Sequence, residues 1–196
     1  ERMDNKERIM ESAKDLFYAR GYDAVGVQEI ADGAGITKPT LYYYFGSKLG
    51  LLKALLENGL SELRRMLQQA LREEGGIQET LCRFAAAYCA FFEKDRKYYM
   101  MFMALLYSAR ENEAYLAARP YVLEFYDAAV RIFERASGQL GNMRGRQEQF
   151  AIGFTGTINN FLLMKYERGG TDSEKERISD EQIRSLVGQF MYGIFS

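Results

Sequence analysis

The chain has 196 residues, 47% of them hydrophobic, and its 26 basic and 27 acidic side chains leave a net charge of −1. This composition is that of a folded globular protein without disordered or low-complexity tracts. Its apolar runs are half as long as the roughly 20 residues of a membrane span. The charged start Glu1-Arg2-Met3-Asp4 lacks the apolar segment of a secretory signal. We therefore expect a cytoplasmic protein with no membrane partner.

The chain has no histidine and two cysteines, and its acidic residues do not cluster in triplets. The usual ligands of zinc and iron are therefore missing. Histidine is also the commonest general base, and the glycine motifs of serine hydrolases, P-loop nucleotide-binding proteins and dinucleotide-binding enzymes do not occur. We expect no metal, no cofactor and no catalytic activity.

Cys82 and Cys89 are seven residues apart on one predicted helix. This spacing separates them by two turns, or about 10 Å along the axis, which is too far for a disulfide. We predict two buried free thiols, with a redox-sensing pair as the alternative.

Apolar residues recur with helical spacing over nearly the whole chain, which contains only two prolines. The fold class is therefore predicted to be all-α, with about nine helices. The first helix covers residues 4–20 and ends at Gly21, a glycine in the place of a C-cap. One stripe of this helix is apolar and consists of Ile9, Ala13, Leu16 and Phe17.

Two short helices joined by a tight turn follow, over residues 27–33 and from residue 38 onward. Gly26 and Thr37 precede these helices at N-cap positions, and Pro39 suits the first turn of the second one. Gly35 lies between them, where a residue without a side chain adopts a positive φ at low cost. This pattern predicts a helix-turn-helix.

The second short helix has one face for packing and one for contact. At 100° per residue, Leu41 and Phe45 share one side of the helix. Thr40 and Tyr43 point away from it with Pro39, and the flanks are Lys38, Tyr42 and Tyr44. Three successive tyrosines cannot all be buried on so short a helix. Phenol, hydroxyl and ammonium groups on an exposed helix are typical of major-groove contact.

The surroundings of this helix favour an anionic partner. No acidic residue lies between Asp32 and Glu57, whereas Lys38, Lys48 and Lys53 do. The local field is therefore positive although the whole chain is nearly neutral.

Three segments carry a family resemblance, namely Leu16-Phe17-x-x-x-Gly21-Tyr22, Ile30-Ala31-x-x-Ala34-Gly35-Ile36 and Lys38-x-x-Leu41-Tyr42-x-Tyr44-Phe45-x-x-Lys48. With them the first quarter of the chain resembles the DNA-binding domain of the tetracycline-repressor (TetR) family of bacterial regulators. The resemblance implies a homodimer that binds a pseudo-palindromic operator. It also implies a repressor that releases the operator when a small hydrophobic effector binds.

The resemblance places DNA contacts at nine positions, which are Gln28, Thr37, Lys38, Pro39, Thr40, Tyr42, Tyr43, Tyr44 and Lys48. Two positions depart from the family's usual pattern. Gly26 stands where the family often has a capping Ser or Thr, and Tyr44 stands where it often has histidine.

The rest of the chain is predicted to form a second domain, so that residues 1–47 bind DNA and residues 48–196 bind the effector and dimerise. A long helix over residues 47–74 is predicted to join the two domains and to end at Gly75-Gly76. Proline disrupts a helix interior, so we expect a break near Pro120. The further predicted helices cover residues 77–93, 96–109, 113–137, 144–168 and 180–195, with loops over 138–145 and 169–179.

Aromatic and methionine side chains crowd the middle of the chain. Large adaptable side chains suit a pocket for an apolar ligand, although packing of the core is the simpler explanation for each of them. The resemblance implies an effector pocket here, and its predicted residues are Tyr88, Phe91, Phe92, Met100, Met103, Tyr107, Phe125 and Tyr126.

The last two helices carry a further set of apolar faces with small residues between them. Such faces suit a two-fold four-helix interface, and the resemblance places dimerisation there. The predicted interface residues are Phe154, Ile158, Phe161, Leu186, Phe190 and Met191. The alternative is that these faces only close the chain's own core.

Two other functions fit the sequence less well. One is a ligand-binding or adaptor protein of the same fold that has lost DNA binding, which the near-neutral charge and Gly26 favour. The other is an α-helical enzyme for apolar substrates that uses Tyr, Asp or Glu as acid and base.

Overall fold

The computed structural model describes residues 4–138, 140, 143–169 and 177–193, and this part of the chain is helical without strands. The all-α prediction is therefore confirmed. The described helices are α1 (Asn5–Arg20), α2 (Val27–Gly33), α3 (Lys38–Phe45), α4 (Lys48–Arg72), α5 (Ile77–Lys94), α6 (Arg96–Leu106), α7 (Glu113–Ala136), α8 (Gln147–Gly169) and α9 (Asp180–Tyr192).

Most predicted boundaries agree with these helices within about three residues. The predicted end of the last helix at residue 195 and most of the predicted loop over 169–179 lie outside the described residues. None of the helices in the described ranges combines the length and apolarity needed to cross a bilayer.

The predicted break at Pro120 is wrong, because α7 continues through this residue. Proline removes the N–H that would bond to the carbonyl of Leu116, four residues earlier. Pro120 and Leu116 are both exposed, so this part of α7 faces solvent, where a carbonyl can bond to water. The lost hydrogen bond therefore costs too little to end the helix.

The described chain forms two compact units. The first comprises the residues up to Ser61 together with Lys97–Pro120, and the second comprises Glu62–Arg96 together with the residues from Tyr121 onward. The division after residue 47 was predicted from sequence alone and stays a prediction.

The first unit contains α1 to α3, which pack around the buried side chains of Ile9, Phe17, Ile30 and Leu41. A capping box begins α1, since the carboxylate of Asp4 accepts from the Glu7 N–H at 2.8 Å and that of Glu7 accepts from the Asp4 N–H at 3.0 Å. Such a box satisfies two N–H groups that the helix cannot. The box therefore stabilises the N-terminus of α1.

Helix α6 lies in the same unit and packs against α4. The hydroxyl of Tyr98 donates to the carbonyl of Leu55 at 3.0 Å. The Tyr98 ring lies so close to Gly59 that a Cβ built there would come within 2.1 Å of it. Only glycine allows this approach.

The second unit has an aromatic core between α5, α7, α8 and α9. Phe154 is fully buried, and its ring centroid lies 6.0 Å from that of Phe84 and 5.1 Å from that of Phe190. Ile158, one turn further along α8, is also fully buried. These side chains stabilise the fold of the single chain.

Both cysteines are free, as predicted. Cys89 is buried as predicted, whereas the predicted burial of Cys82 is wrong, because this residue is only half-buried. Burial, with a smaller contribution from Glu93, raises the pKa of the Cys89 thiol to about 12. The thiolate is the reactive form. Cys89 is thus protected chemically as well as sterically.

We expect Cys89 to resist 5,5′-dithiobis(2-nitrobenzoate) at pH 8 in the folded chain and to react in guanidinium chloride. The pKa of the Cys89 thiol is higher in the folded chain than in the unfolded chain. As the pH rises, the unfolded chain therefore loses the thiol proton first. The free energy of unfolding therefore falls above the ordinary thiol pKa. The Cys82→Ser variant isolates Cys89, and prompt labelling of that folded variant would contradict the assignment.

Candidate DNA-binding surface

The turn between α2 and α3 has the geometry that the sequence predicts. Gly35 adopts a φ of +64°, and a Cβ built on it would lie 2.6 Å from the guanidinium of Arg8. The Ile36 N–H then donates to the Ala31 carbonyl at 3.0 Å. The turn therefore requires glycine, and it sets the direction in which α3 leaves α2.

Helix α3 begins at a pair of threonines. Thr37 is the N-cap, and its hydroxyl accepts from the Thr40 N–H at 3.4 Å and lies 2.8 Å from the Thr40 hydroxyl. Pro39 occupies the first turn, where its missing N–H breaks no helical bond. The positive end of the α3 dipole thus carries the hydroxyls of Thr37 and Thr40. Of these two residues, Thr37 is exposed.

The two faces of α3 differ in burial as the sequence predicts. Leu41 is fully buried and Phe45 is half-buried. Tyr43 is 85% exposed, and Tyr42 and Tyr44 are 41% and 40% exposed. We call Lys38, Tyr42, Tyr43 and Tyr44 the α3 tyrosine surface.

The α3 tyrosine surface is internally ordered. The rings of Tyr43 and Tyr44 meet edge to face with their centroids 5.4 Å apart, and the Lys38 ammonium lies 5.9 Å from the centre of the Tyr42 ring. Side chains held this way lose less rotamer freedom on binding. The arrangement offers three phenol hydroxyls and one cation to a partner.

Helix α2 flanks this surface with polar groups. The Gln28 side chain is exposed and donates to the Asp32 carboxylate at 2.7 Å. Gly26 precedes α2 in extended conformation without a side-chain cap. The hydroxyl that the family often places there is therefore absent.

Lys48 has a structural partner that the sequence analysis missed. Its ammonium donates to the carbonyls of Tyr22 and Val25, each at 3.0 Å, and lies 4.2 Å from the centre of the Tyr22 ring. Lys48 therefore holds the loop between α1 and α2. Its contact with DNA stays a prediction.

The same loop is tied to α7. The Tyr22 hydroxyl donates to the Glu113 carboxylate, and burial and this carboxylate raise the tyrosine pKa well above its usual value. The Asn112 amide donates to the Asp23 carboxylate at 2.6 Å, and Lys97 at the start of α6 pairs with Asp15 at 2.9 Å. Within the first unit, α6 and α7 are thus linked to the helix-turn-helix.

The residues predicted to bind the effector are divided between the two compact units. Tyr88, Phe91, Phe92 and Phe125 are buried in the second unit, with Tyr126 half-buried beside them. Met100, Met103 and Tyr107 belong to the first unit, and Tyr107 is 83% exposed. The buried members fit a pocket lining or a core, and Tyr107 is a surface side chain.

The predicted interface residues also divide by burial. Phe154 and Ile158 fill the core described above, whereas Phe161, Leu186, Phe190 and Met191 are half-buried. Ile152 and Met164 of α8, which the sequence analysis did not single out, are 61% and 51% exposed. A dimer interface on α8 and α9 would use the partly exposed side chains.

The described residues hold no group of three or more Cys, Asp or Glu side chains placed to bind a metal ion.

Helix α3 has an exposed face and follows α2 after a glycine turn. This geometry defines the class of the protein as a helix-turn-helix protein.

Comparison with known proteins shows what the N-terminal part of the chain is similar to. The model of the bacterial regulatory proteins of the tetR family matches residues 9–55. The transcriptional activator FasR of Mycolicibacterium smegmatis is 36% identical over 100 residues, which cover 51% of this chain and 46% of FasR. The chain thus matches less than half of that relative's length. Residues 9–55 of the chain match the tetR family model, and about half of the chain is similar to a curated regulator.

Two solved structures share the fold over nearly their whole length. FadR from Bacillus subtilis in complex with stearoyl-CoA has a TM-score of 0.76 at 17% identity, over 95% of this chain and 98% of that one. AibR in complex with isovaleryl coenzyme A and operator DNA has a TM-score of 0.70 at 22% identity, over 95% and 97%. These likenesses extend the fold beyond the matched 47 residues of the family model.

Proposed function

We propose that this protein is a DNA-binding transcriptional regulator that responds to a small ligand. The observation that carries this proposal is the α3 tyrosine surface, where Tyr43 stands exposed on a helix whose opposite side is buried. Phenol hydroxyls and Lys38 would contact bases and phosphates when α3 lies in a major groove.

The regulator would act as a homodimer. Two copies of α3 would then enter successive major grooves, about 34–36 Å apart, on a pseudo-palindromic operator. The exposed apolar side chains of Ile152 and Met164 on α8 support an interface there, because burying such side chains in a second copy removes them from water.

The effector would be a small hydrophobic molecule. The acyl-CoA ligands named for FadR and AibR support an acyl compound, and the buried aromatic residues Tyr88, Phe91, Phe92 and Phe125 suit such a chain. Effector binding would favour a conformation with the wrong half-site spacing and so release the operator. This release makes the protein a repressor in our proposal, acting in the cytoplasm.

The ties within the first unit supply a route for this response. Glu113 bonds to Tyr22, whose backbone carbonyl accepts from Lys48 at the start of α4. An effector that displaces α6 or the start of α7 would pull on these bonds and shift the loop that precedes α2. The bonds are thus a physical link between effector and helix-turn-helix.

A ligand-binding protein without DNA binding is the second candidate. It is favoured by Gly26, which leaves α2 without a hydroxyl for a phosphate contact. A protein of this kind would bind its ligand although it has no affinity for DNA.

Selection of bound DNA from a random pool at two salt concentrations tests the proposal. A regulator of this kind enriches a palindromic sequence, and its affinity falls as salt rises because phosphate contacts release counterions. The Lys38→Gln variant serves as comparison, since it should reduce the salt dependence. Absence of enrichment at both salt concentrations would favour the second candidate.

A further inference from the structure

Helix α1 brings a cation to the turn between α2 and α3. Arg8 is exposed on α1, and its Nη2 atom lies 2.6 Å from a Cβ built on Gly35, in the space that this glycine leaves open. Thr37, the N-cap of α3, follows Gly35 after a stretch of chain that spans at most about 7 Å. The guanidinium therefore lies beside the start of α3.

The packing of α1 on α2 sets this position. Ser12 lies one turn after Arg8 on the same face of α1, and its hydroxyl donates to the Ile30 carbonyl at 2.9 Å. A Cβ built on Gly33 would come within 2.5 Å of the same hydroxyl, so the two helices approach closely at this point. The fold of the domain thus holds Arg8 over the turn.

The guanidinium of Arg8 has no hydrogen bond or ion pair with any of the residues that the structure describes. Two cations further along α1 do have such a partner, since Lys14 pairs with Glu11 and Arg20 pairs with Glu29, each at 2.7 Å. The N–H groups of Arg8 are therefore available to a ligand from outside the chain.

The charges around the turn favour an anion. Lys38 is the first residue of α3, and no acidic residue follows the turn before Glu57. The nearest acidic residue on the other side, Asp32, already accepts from Gln28 at 2.7 Å. A guanidinium binds a phosphate with two parallel hydrogen bonds, and its weak hydration lowers the cost of this contact.

We propose that Arg8 is a further DNA contact, which binds a backbone phosphate beside the start of α3. This inference rests on the proposed function, because it places α3 in the major groove. A phosphate contact carries no sequence information but fixes the register of the protein on the duplex. Arg8 thus positions α3, whereas the exposed tyrosines of α3 read the bases.

The salt dependence of binding tests this assignment. Fluorescence anisotropy with the selected operator and with a scrambled duplex would be measured over a series of salt concentrations. Arg8→Gln should weaken binding to both duplexes by the same factor, about tenfold. It should also reduce the slope of log K against log salt by about 0.9 for each protomer. Arg8→Lys keeps the charge and should restore most of the slope.

Arg119→Gln is the matched control, because Arg119 is an exposed arginine of α7 in the same compact unit. This variant removes the same charge and should retain the affinity and the slope of the parent. Thermal unfolding followed by circular dichroism checks that each variant is folded. A merely structural role of Arg8 at the turn would change the affinity without changing the slope.

A second measurement uses the unaltered protein. Single phosphates of the operator would be replaced by uncharged methylphosphonates. At one phosphate in each half-site, this replacement should weaken binding of the parent about as much as Arg8→Gln does. The same replacement should have no further effect on Arg8→Gln, because both changes remove one and the same contact.

Three outcomes would overturn the proposal. They are the slope of the parent in Arg8→Gln, an equal loss of slope in Arg119→Gln, and methylphosphonate effects that add to that of Arg8→Gln at every phosphate. In each of these outcomes the parent still binds DNA, so the proposed function stands. A parent that binds neither duplex would contradict the proposed function itself, and this inference with it.

Discussion

Replacing Tyr43 with alanine is expected to weaken binding to the selected operator by about 10- to 100-fold and to reduce the preference for that operator over a scrambled one. Tyr43 points away from the domain core and is the most exposed of the three α3 tyrosines, so it is placed for a base edge. Tyr42→Phe should instead weaken binding to every sequence alike, because it would lose the phosphate contact that we predict for the Tyr42 hydroxyl. Fluorescence anisotropy with both duplexes measures the two effects.

Tyr107→Ala is the control for this change. Tyr107 has nearly the same exposure, 83%, and lies in the same compact unit, but outside α3. Its replacement should leave both affinities unchanged. Equal losses in the two variants, or a Tyr43→Ala protein with undiminished preference, would contradict the placement of α3 in the groove.

Replacing Phe154 with alanine is expected to lower the free energy of unfolding by about 3–5 kcal/mol. Phe154 is fully buried within one chain and contacts the rings of Phe84, Phe133 and Phe190. Its removal leaves a cavity that this aromatic core cannot refill. Urea denaturation followed by circular dichroism measures the loss.

Met164→Ala on the same helix is the comparison. Met164 is 51% exposed, so its replacement should cost the single chain less than about 1 kcal/mol and should act mainly on dimerisation. A Phe154→Ala protein of parental stability that dissociates on dilution would show that Phe154 serves the interface instead of the core.

The sequence predicted the elements whose causes are local. The helix period separates Leu41 from Tyr43 on α3, and the glycine at position 35 is required by a φ of +64°. Both features follow from a few neighbouring residues. For this reason the buried and exposed faces of the helix-turn-helix could be assigned without the structure.

Features that depend on contacts between distant segments were not predictable in this way. Lys48 bonds to carbonyls more than twenty positions earlier, and no local pattern distinguishes such a lysine from one that faces DNA. Phe154 lies on an apolar face that suits a core and an interface equally well. The continuation of α7 through Pro120 depends on solvent exposure, which the sequence does not reveal.

Site-specific crosslinking tests the central claim most directly. Benzoylphenylalanine would replace Tyr43 in one protein and Tyr107 in another, and each would be irradiated with the selected operator. Our account predicts a crosslink from position 43 to a base within each half-site and none from position 107. Crosslinks from both positions, or from position 107 alone, would contradict it.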